Sequence, residues 1–308
     1  MRISTLNTFD SSIANLQRRQ AQLANSQEQL TSGKRVLRAS DDPAAAARAE
    51  RALAAMARNE ANQRALEASR NAMQFGEAAL GEAGELLQQM RERLVAAGNG
   101  SYTDADRAKL AEAMRGLRDD LLSVANRSDG GGRFVFGGQG SDGPPLLDAP
   151  GGVAYNGATG TLLTSADETL PLALDGQAVF LQVPDPANPG ATMSAFDAID
   201  QSITELLTPG RTGAQVAQTV REGLARLDAV SDHLGGWRAR AGEALRRSDG
   251  IGERLAQGKL DARRDRSSAE DLDMVAAISD FQTRQSGYDA ALKTYSIVQR
   301  MSLFEYIR

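Results

Sequence analysis

The sequence predicts a mainly α-helical protein: an elongated antiparallel rod of long coiled helices from both chain ends, with a small β-rich insertion. Three observations support this prediction. Apolar residues recur at heptad spacing at both ends, the long stretch from Pro43 to Gly98 contains no further proline, and residues 129–193 are instead rich in glycine and proline. Only 5% of the 308 residues are aromatic, which suits helix-to-helix contacts better than one thick globular core.

The heptad pattern forms two rows in each terminal segment. In the first segment the rows are Leu6, Ile13, Gln20 and Gln27, and Phe9, Leu16, Leu23 and Leu30. In the last segment they are Met274, Phe281, Tyr288 and Tyr295, and Ile278, Gln285 and Leu292. Such rows are typical of helices that pack along other helices, so the two segments should pair with each other or with copies of themselves. Glutamine in these rows weakens a core formed within one chain. In a bundle shared between chains, it instead suits a specified register of helix packing.

We therefore predict that assembly uses the apolar residues of both terminal segments. The predicted assembly interface comprises Leu6, Phe9, Ile13, Leu16, Leu23, Leu30, Met274, Ile278, Phe281, Tyr288, Leu292, Tyr295, Met301 and Phe304. The common alternative is that an amphipathic helix buries its apolar face against its own domain. The position of both segments at the chain ends, where a domain normally leaves loose polypeptide, favours the assembly interpretation.

Capping signals divide the first half of the chain into three predicted helices. The first runs from about Leu6 to Thr31 and ends at Gly33, since glycine commonly follows a helix. The second begins at Pro43, with Asp42 as its cap, and continues to about Gly98. The third runs from Asp104 to about Ser128, after a capping box formed by Thr103 and Asp106.

The insertion, residues 135–193, is predicted from short apolar runs between turns. Asn156-Gly157 and Asp175-Gly176 are typical of β-hairpin turns, and the run from Ala178 to Val183 is expected to form a strand. The insertion could also carry an enzyme, but no convergent set of polar residues indicates a pocket there. In that view the insertion is an appendage, whose deletion should spare assembly.

Helical pattern resumes after the insertion. One helix is predicted from Ser194 to Pro209 and a longer one from about Ala214 to Gly258. A capping box of Ser267 and Glu270 is expected to begin the terminal helix. The predicted domains are therefore a terminal coiled-helix part, a long-helix rod and the insertion. Their boundaries are 1–40 with 270–308, 41–134 with 194–269, and 135–193.

Residue content argues against most catalytic and metal sites. The chain has no cysteine and one histidine, His233, which excludes cysteine-ligated metals and leaves no second histidine for a shared metal ion. The glycines from Gly138 to Gly143 match a dinucleotide-binding pattern, but Pro144 prevents the helix that such a site needs. We predict no enzyme activity, no cofactor and no metal.

Charge and hydropathy exclude two further classes of partner. A net charge of −5 argues against nucleic-acid binding, and the arginines are interleaved with acidic residues. No apolar run has the length of a membrane span, and the N-terminal residues do not resemble a cleaved secretory signal. We expect no membrane insertion.

Several short motifs resemble the family of flagellins and flagellar hook-associated proteins. They are Met1-Arg2-Ile3-Ser4-Thr5, Leu30-Thr31-Ser32-Gly33-Lys34-Arg35, Asp41-Asp42-Pro43 with the alanines that follow, and Phe136-Gly137-Gly138. The ending from Met301 to Ile307 is similar to that of the hook-associated protein 3 family, which joins hook to filament, and departs from the flagellin pattern. The motif residues to be located in the structure are Ser32, Gly33, Asp41, Asp42, Pro43, Phe136, Gly137 and Gly138.

The resemblance implies a structural adaptor rather than an enzyme. Such a subunit joins the flagellar hook, through hook-associated protein 1, to the flagellin filament; the alternative is a flagellin that forms the filament itself. It is exported through the flagellar secretion apparatus without a cleaved signal and is located outside the cell. The terminal part is expected in an inner tube of subunit copies and the long helices in an outer tube. An export chaperone is expected on the C-terminal helix.

Overall fold

The computed structural model describes residues 2–164 and 168–306, and it describes side-chain burial for residues 10–164 and 168–298. The fold is mainly α-helical with a small β insertion, as predicted. Its long helices are α1 (Arg2–Ser32), α2 (Pro43–Ala97), α3 (Asp104–Ala125), α4 (Ala195–Leu207), α5 (Gly213–Glu270) and α6 (Met274–Tyr306).

The chain forms two compact units. One consists of Met1–Asn59 with Gln257–Arg308 and contains the terminal helices, and the other is Glu60–Ala256. We call them the terminal unit and the central unit. The predicted domain boundaries concern the roles of these parts in an assembly, so they remain a prediction.

Local capping explains where most helices begin. The Thr103 hydroxyl accepts from the Asp106 amide and the Asp106 carboxylate accepts from the Thr103 amide, so the predicted capping box begins α3. The Asp42 carboxylate accepts from the Ala45 amide at 2.9 Å, as expected of the cap of α2. The Ser194 hydroxyl caps α4.

The predicted boundary between the last two helices is wrong. The fifth helix does not end near Gly258 but continues to Glu270, because the charged stretch that follows contains no residue that breaks a helix. Ser267 therefore lies within α5 and does not cap the terminal helix. That cap is Asp273, whose carboxylate accepts from the amides of Val275 and Ala276.

The core of the central unit lies between antiparallel helices and the underside of the insertion. Arg70, Glu77 and Arg91 of α2 pair with Asp249, Arg238 and Asp228 of α5, in reverse chain order, so these stretches run antiparallel. Buried residues of α2, α3, α4 and α5 form one cluster with residues of the insertion. The fully buried members with the largest side chains include Met73, Leu87, Met114, Phe136, Phe180 and Phe196.

The insertion contains two short antiparallel strand pairs. The strands β1 (Leu146–Ala149) and β2 (Gly152–Tyr155) pair across a turn at residues 150–151, and β3 (Val183–Pro184) pairs with β4 (Thr192–Met193). The hairpin turns predicted at Asn156-Gly157 and Asp175-Gly176 are wrong.

The predicted strand from Ala178 to Val183 is wrong for most of its length. Residues Gln177–Leu181 form a π-helix, and only Val183 belongs to a strand. The Asp175 carboxylate accepts from the amides of Gln177 and Ala178, which favours a helical turn over an extended backbone.

Candidate assembly surface of the terminal helices

In the terminal unit, α1 and α6 pack side by side in opposite directions. Residues 12–19 of α1 and 291–298 of α6 line one groove of about 430 Å³. Residues 26–29 of α1 line a second groove with residues 272–273, just before α6, and residues 276–284 of α6, together with Arg35. Because the order along α1 is the reverse of the order along α6, the pair is antiparallel, and the predicted pairing of the two end segments occurs within one chain.

Among the side chains that the structure describes in these two helices, one heptad row of each lies in this contact and the other does not. Leu16, Leu23 and Leu30 of α1 are half-buried, as are Phe281, Tyr288 and Tyr295 of α6. We call these six residues the inner rows. Ile13, Gln20 and Gln27 of α1 are exposed, as are Met274, Ile278, Gln285 and Leu292 of α6, and these are the outer rows.

The outer rows leave large apolar side chains in contact with solvent. Ile13, Met274, Ile278 and Leu292 are all exposed, and so are three further apolar residues of α6, Val275, Ile297 and Val298. The exposed fraction of Val275 reaches 83%. Clustered apolar exposure on a helix is typical of an interaction surface.

No predicted interface residue whose side chain is described in these two helices is fully buried. Leu6, Phe9, Met301 and Phe304 lie on α1 and α6, but their side chains are outside the described residues. The assignment of the whole set to an assembly interface therefore remains a prediction.

The motif residues around Gly33 and Asp42 belong to a cluster at the base of this helix pair. We call it the clasp: residues 32–42, from the last residue of α1 to the cap of α2, with residues 266–273, from the last turn of α5 to the cap of α6. The Arg35 amide donates to the Glu270 carbonyl at 2.7 Å, and the Leu272 amide donates to the Gly33 carbonyl at 3.0 Å. Gly33 has a φ of 70°, a left-handed conformation that glycine adopts without strain.

Charged side chains reinforce the clasp. The Lys34 ammonium lies 2.9 Å from the Glu270 carboxylate, and Arg266 lies 3.4 Å from the same group. The Arg35 guanidinium donates to the Ala269 carbonyl at 2.9 Å and to the Asp42 carboxylate at 3.1 Å. Arg35 thus links the last turn of α5 to the cap of α2.

These contacts lower the pKa of two carboxyl groups. The Lys34 side chain is the largest cause of the lowered pKa of Glu270, with Arg266 adding to it. The pKa of Asp42 is lowered first by the Ala45 amide and then by Arg35. Both carboxyl groups therefore favour their charged, paired forms in the folded chain.

The second motif, Phe136-Gly137-Gly138, lies in the core of the central unit. Phe136 is fully buried, with its ring edge-on to Phe180 at a centroid distance of 5.0 Å. The Gly138 amide donates to the Leu174 carbonyl at 3.0 Å, and φ is 63°. A Cβ at Gly138 would lie 2.0 Å from the Ala158 carbonyl oxygen, so a side chain cannot fit there.

Arg118 joins α3 to the insertion in the same unit. Its guanidinium bonds both carboxylate oxygens of Asp148 on β1 and lies 3.2 Å from Asp200 on α4. It also lies over the Phe196 ring, 5.5 Å from the centroid. Arg118 is the largest cause of the lowered pKa of Asp148.

The lone histidine lies between α5 and the insertion. His233 Nε2 is 2.9 Å from the Ala178 carbonyl and 3.1 Å from Trp237 Nε1, so the imidazole contacts the π-helix. Within residues 2–164 and 168–306, no group of three or more His, Asp or Glu residues could hold a metal ion. No helix in those ranges is long and apolar enough to cross a membrane.

Sequence reasoning missed the charged members of these clusters. Lys34 belongs to one of the family motifs, but its partner Glu270 lies near the other end of the chain, where the sequence predicts a capping box instead. Arg118 lies in an ordinary helical pattern with no local signal. A partner more than two hundred residues away cannot be read from the spacing of one sequence.

Known proteins resemble this chain in sequence and in fold. Residues 3–141 match the family model of the bacterial flagellin N-terminal helical region. The chain is 30% identical to flagellar hook-associated protein 3 of Salmonella typhimurium over 326 aligned positions that cover 100% of both chains. The chain belongs to the flagellar hook-associated protein 3 family. The hook-associated protein 3 of Escherichia coli is 28% identical over 99% of each chain.

Flagellins match this hook-associated protein 3 family member only in part. Flagellin E of Vibrio cholerae is 37% identical, but over 124 residues that cover 38% of this chain and 31% of the flagellin. Among solved structures, a flagellar hook-associated protein from Vibrio parahaemolyticus has a TM-score of 0.66 and 21% identity, covering 75% of this chain and 100% of that one. The flagellar junction protein FlgL from Legionella pneumophila has a TM-score of 0.55 and 18% identity, covering 62% and 95%. These structures share the fold.

Proposed function

We propose that this chain is the structural adaptor subunit that joins the flagellar hook to the flagellin filament. Its relatives include hook-associated proteins that match over the full chain, whereas the flagellins match over 38% of it. The observation that carries the proposal is the outer rows: both terminal helices expose apolar side chains after they have already paired with each other.

The outer rows suit a subunit that completes its core only in an assembly. Fully burying a leucine or isoleucine side chain contributes about 1.5–3 kcal/mol relative to leaving it exposed. Ile13, Ile278 and Leu292 are 39%, 46% and 40% exposed in the single chain, so contact between copies can still use part of that contribution. Repeated contacts of this kind between different surfaces of identical subunits form a ring where the rotation between copies closes and an open helix where it does not. We propose that the predicted interface residues serve this contact.

The partners follow from the place of an adaptor. Hook-associated protein 1 is the proposed neighbour on the hook side and flagellin on the filament side, with copies of this chain around the axis. The terminal segments, 1–40 and 270–308, would form the inner tube and the long helices the outer tube. An export chaperone is proposed to cover the C-terminal helix, including Phe281, Tyr288, Leu292, Tyr295 and Phe304, before secretion through the flagellar export apparatus. The proposed role requires no catalysis.

The outer row of α6 provides the sharpest test. Leu292→Asp should leave the chain soluble and helical, because this side chain is already exposed, yet abolish incorporation at hook ends and motility. Ala290→Asp is the matched control: it makes the same charge change at an exposed position about 160° away around the helix. Normal swimming with Leu292→Asp, or equal defects in both variants, would contradict the proposed surface.

Leu16→Asp tests the inner row in the same strain. It should also abolish incorporation, but by weakening the α1–α6 pair itself, since Leu16 lines the groove shared with Tyr295. Circular dichroism of the purified chain should therefore show some helix loss for Leu16→Asp and none for Leu292→Asp.

Copy number distinguishes the adaptor from a flagellin. In sheared filaments, an adaptor is a trace component and a flagellin is the major band. If this chain formed a major band in filaments from a strain that retains its flagellins, the result would support the filament role instead.

A further inference from the structure

The sequence contains two Asn-Gly pairs, Asn99-Gly100 in the connection between α2 and α3 and Asn156-Gly157 in the insertion. In such a pair the glycine amide nitrogen can attack the side-chain carbonyl carbon of the asparagine, because a residue without a Cβ leaves that nitrogen accessible and the backbone free to turn. A carbon–nitrogen bond forms, ammonia leaves with the proton of the peptide nitrogen, and a cyclic succinimide results. Water then opens the ring at either carbonyl, so amide plus water gives aspartate or isoaspartate plus ammonia.

The backbone of the first pair is held only by its own turn. Residues 98–103 are all exposed, and a Cβ on Gly100 would meet no atom within 4 Å. The Asn99 amide donates to the Ala96 carbonyl and its carbonyl accepts from the Tyr102 amide, each at 3.1 Å. Both partners are three residues away, so opening of a single turn frees the pair for reaction while the central unit stays folded.

The second pair is held by the rest of the insertion. The Asn156 amide donates at 2.7 Å to the carbonyl of Pro145, which precedes β1. A Cβ on Gly157 would lie 2.5 Å from the Tyr155 hydroxyl oxygen, so this glycine is enclosed where Gly100 is open. The pair can turn towards a succinimide only when the hairpin beside it opens, which requires a larger and rarer fluctuation.

Ser101 places two hydrogen-bond donors on the reacting group of the first pair. The Asn99 Oδ1 atom accepts from the Ser101 amide at 3.1 Å and from the Ser101 hydroxyl at 2.9 Å. Donors at a carbonyl oxygen draw charge from its carbon and stabilise the oxyanion that forms when a nucleophile adds. We propose that Asn99 is a site of spontaneous deamidation in the folded protein, that Ser101 activates its carboxamide, and that the fold protects Asn156.

Deamidation would change one end of the central unit. Either product adds a negative charge to the connection between α2 and α3, and isoaspartate also lengthens its backbone by one carbon atom. Asp104, at the start of α3, accepts from the Gly210 amide at 2.9 Å, so this connection meets the one between α4 and α5. Because the reaction needs no enzyme, the modified fraction would record the age of a subunit.

The test is to incubate the full-length folded chain in mildly alkaline buffer and to measure deamidation at both sites by peptide mass spectrometry. Digestion with an acid-active protease avoids further reaction. Isoaspartate is confirmed by labelling with an isoaspartate methyltransferase and radioactive S-adenosylmethionine. The Asn99 peptide should deamidate at least about tenfold faster than the Asn156 peptide, the factor that about 1.4 kcal/mol of barrier supplies.

The same measurement on the chain unfolded in urea is the control for local sequence. There the two rates should approach each other, because neither pair is held. Equal rates in the folded chain would overturn the proposal, and so would a difference that persists in urea, since the neighbours in sequence and not the fold would then set it.

Variants of Ser101 test the activation. Ser101→Ala should slow deamidation of Asn99 about tenfold, less than the 10²–10³ that one such donor contributes in a water-excluded active site. Ser101→Thr retains the hydroxyl and should react at the wild-type rate. A connection merely loosened by Ser101→Ala would react faster, so slowing identifies the hydroxyl, whereas an unchanged or faster rate would refute its role.

Gly100→Ala tests the attacking nitrogen. The new Cβ lies in open space, so the free energy of unfolding should not change, but it crowds the nitrogen and should slow deamidation of Asn99 about tenfold. A Gly100→Ala chain that deamidates at the wild-type rate would contradict attack by this nitrogen.

Discussion

Replacing Arg118 by methionine tests how strongly the insertion is attached to the central unit. The Arg118 side chain is 8% exposed, and its guanidinium bonds Asp148 of the insertion and lies against Asp200 of α4. Methionine retains most of the side-chain volume above Phe196 and removes the charge. The variant therefore measures the ionic contribution rather than a cavity.

The expected loss of unfolding free energy is about 2–3 kcal/mol. Removing one partner of a fully buried ion pair costs about 3–5 kcal/mol, because the other charge is left without water or partner. Here the remaining carboxylates are accessible, with Asp148 54% and Asp200 41% exposed, so water can rehydrate them and the cost is lower. Arg115→Met is the control: Arg115 pairs with Glu112, both are exposed, and the expected loss is below about 0.5 kcal/mol.

The loss should depend on pH. Arg118 lowers the pKa of Asp148, so this carboxylate's contribution is fully present above its ordinary pKa of 3.8 and is lost as pH falls through the lowered folded value. The difference between variant and wild type should therefore be largest near neutral pH and shrink in acid. Asp197 acts in the opposite direction: burial, and then Asp200, raise its pKa, so its charged form costs stability that is regained as pH falls through the raised value.

Urea unfolding followed by the fluorescence of Trp237 is the assay. Trp237 is the single tryptophan and lies on α5 in the central unit, so its signal reports the unit that contains Arg118. A loss smaller than about 0.5 kcal/mol at neutral pH would refute the reasoning, as would a loss that does not change down to acid pH, since the pairs would then contribute no net stabilisation.

Three further substitutions test other contacts by the same unfolding assay. Gly138→Ala should cost at least about 3 kcal/mol, because a Cβ there meets the Ala158 carbonyl and the backbone is left-handed, whereas Gly143→Ala, in open space, should be close to neutral. Thr103→Ala removes the capping box of α3 and should cost about 1 kcal/mol. Leu170→Ala should lower the free energy of unfolding by about 2–3 kcal/mol, because Leu170 is buried in a small separate cluster between α2 and α5. The same variant should make the insertion segment around residue 170 more sensitive to limited proteolysis.

Features set by neighbouring residues were predictable from the sequence. The capping box at Thr103 and the start of α2 at Pro43 depend on residues three apart, and the structure has both. The heptad rows correctly indicated that the two terminal helices pair. Spacing alone could not show which row faces the partner helix within the chain, because both rows satisfy the same repeat.

Features set by distant partners could not be predicted. Asn156-Gly157 has the composition of a hairpin turn, but the strand before it, β2, pairs with the preceding strand β1 instead. The clasp needs Lys34 beside Glu270, and the attachment of the insertion needs Arg118 beside Asp148. Each pair is brought together only by the folded arrangement of long helices, for which one sequence carries no local signal.

The buried residues of the insertion limit which parts of this segment can be replaced. Phe136, Leu146, Phe180 and Val183 complete the same apolar core as α2 to α5, so the segment is not an appendage that can be cut away cleanly. The expectation that deletion of residues 135–193 would spare assembly stays a prediction, but this core argues against it, because Phe196 and its neighbours would lose their cover. A chimaera can exchange only the solvent-facing residues between β1 and β4 and keep these four side chains together with Gly138. We expect such a chimaera to fold with a foreign epitope in place, whereas replacement of the whole segment should prevent folding.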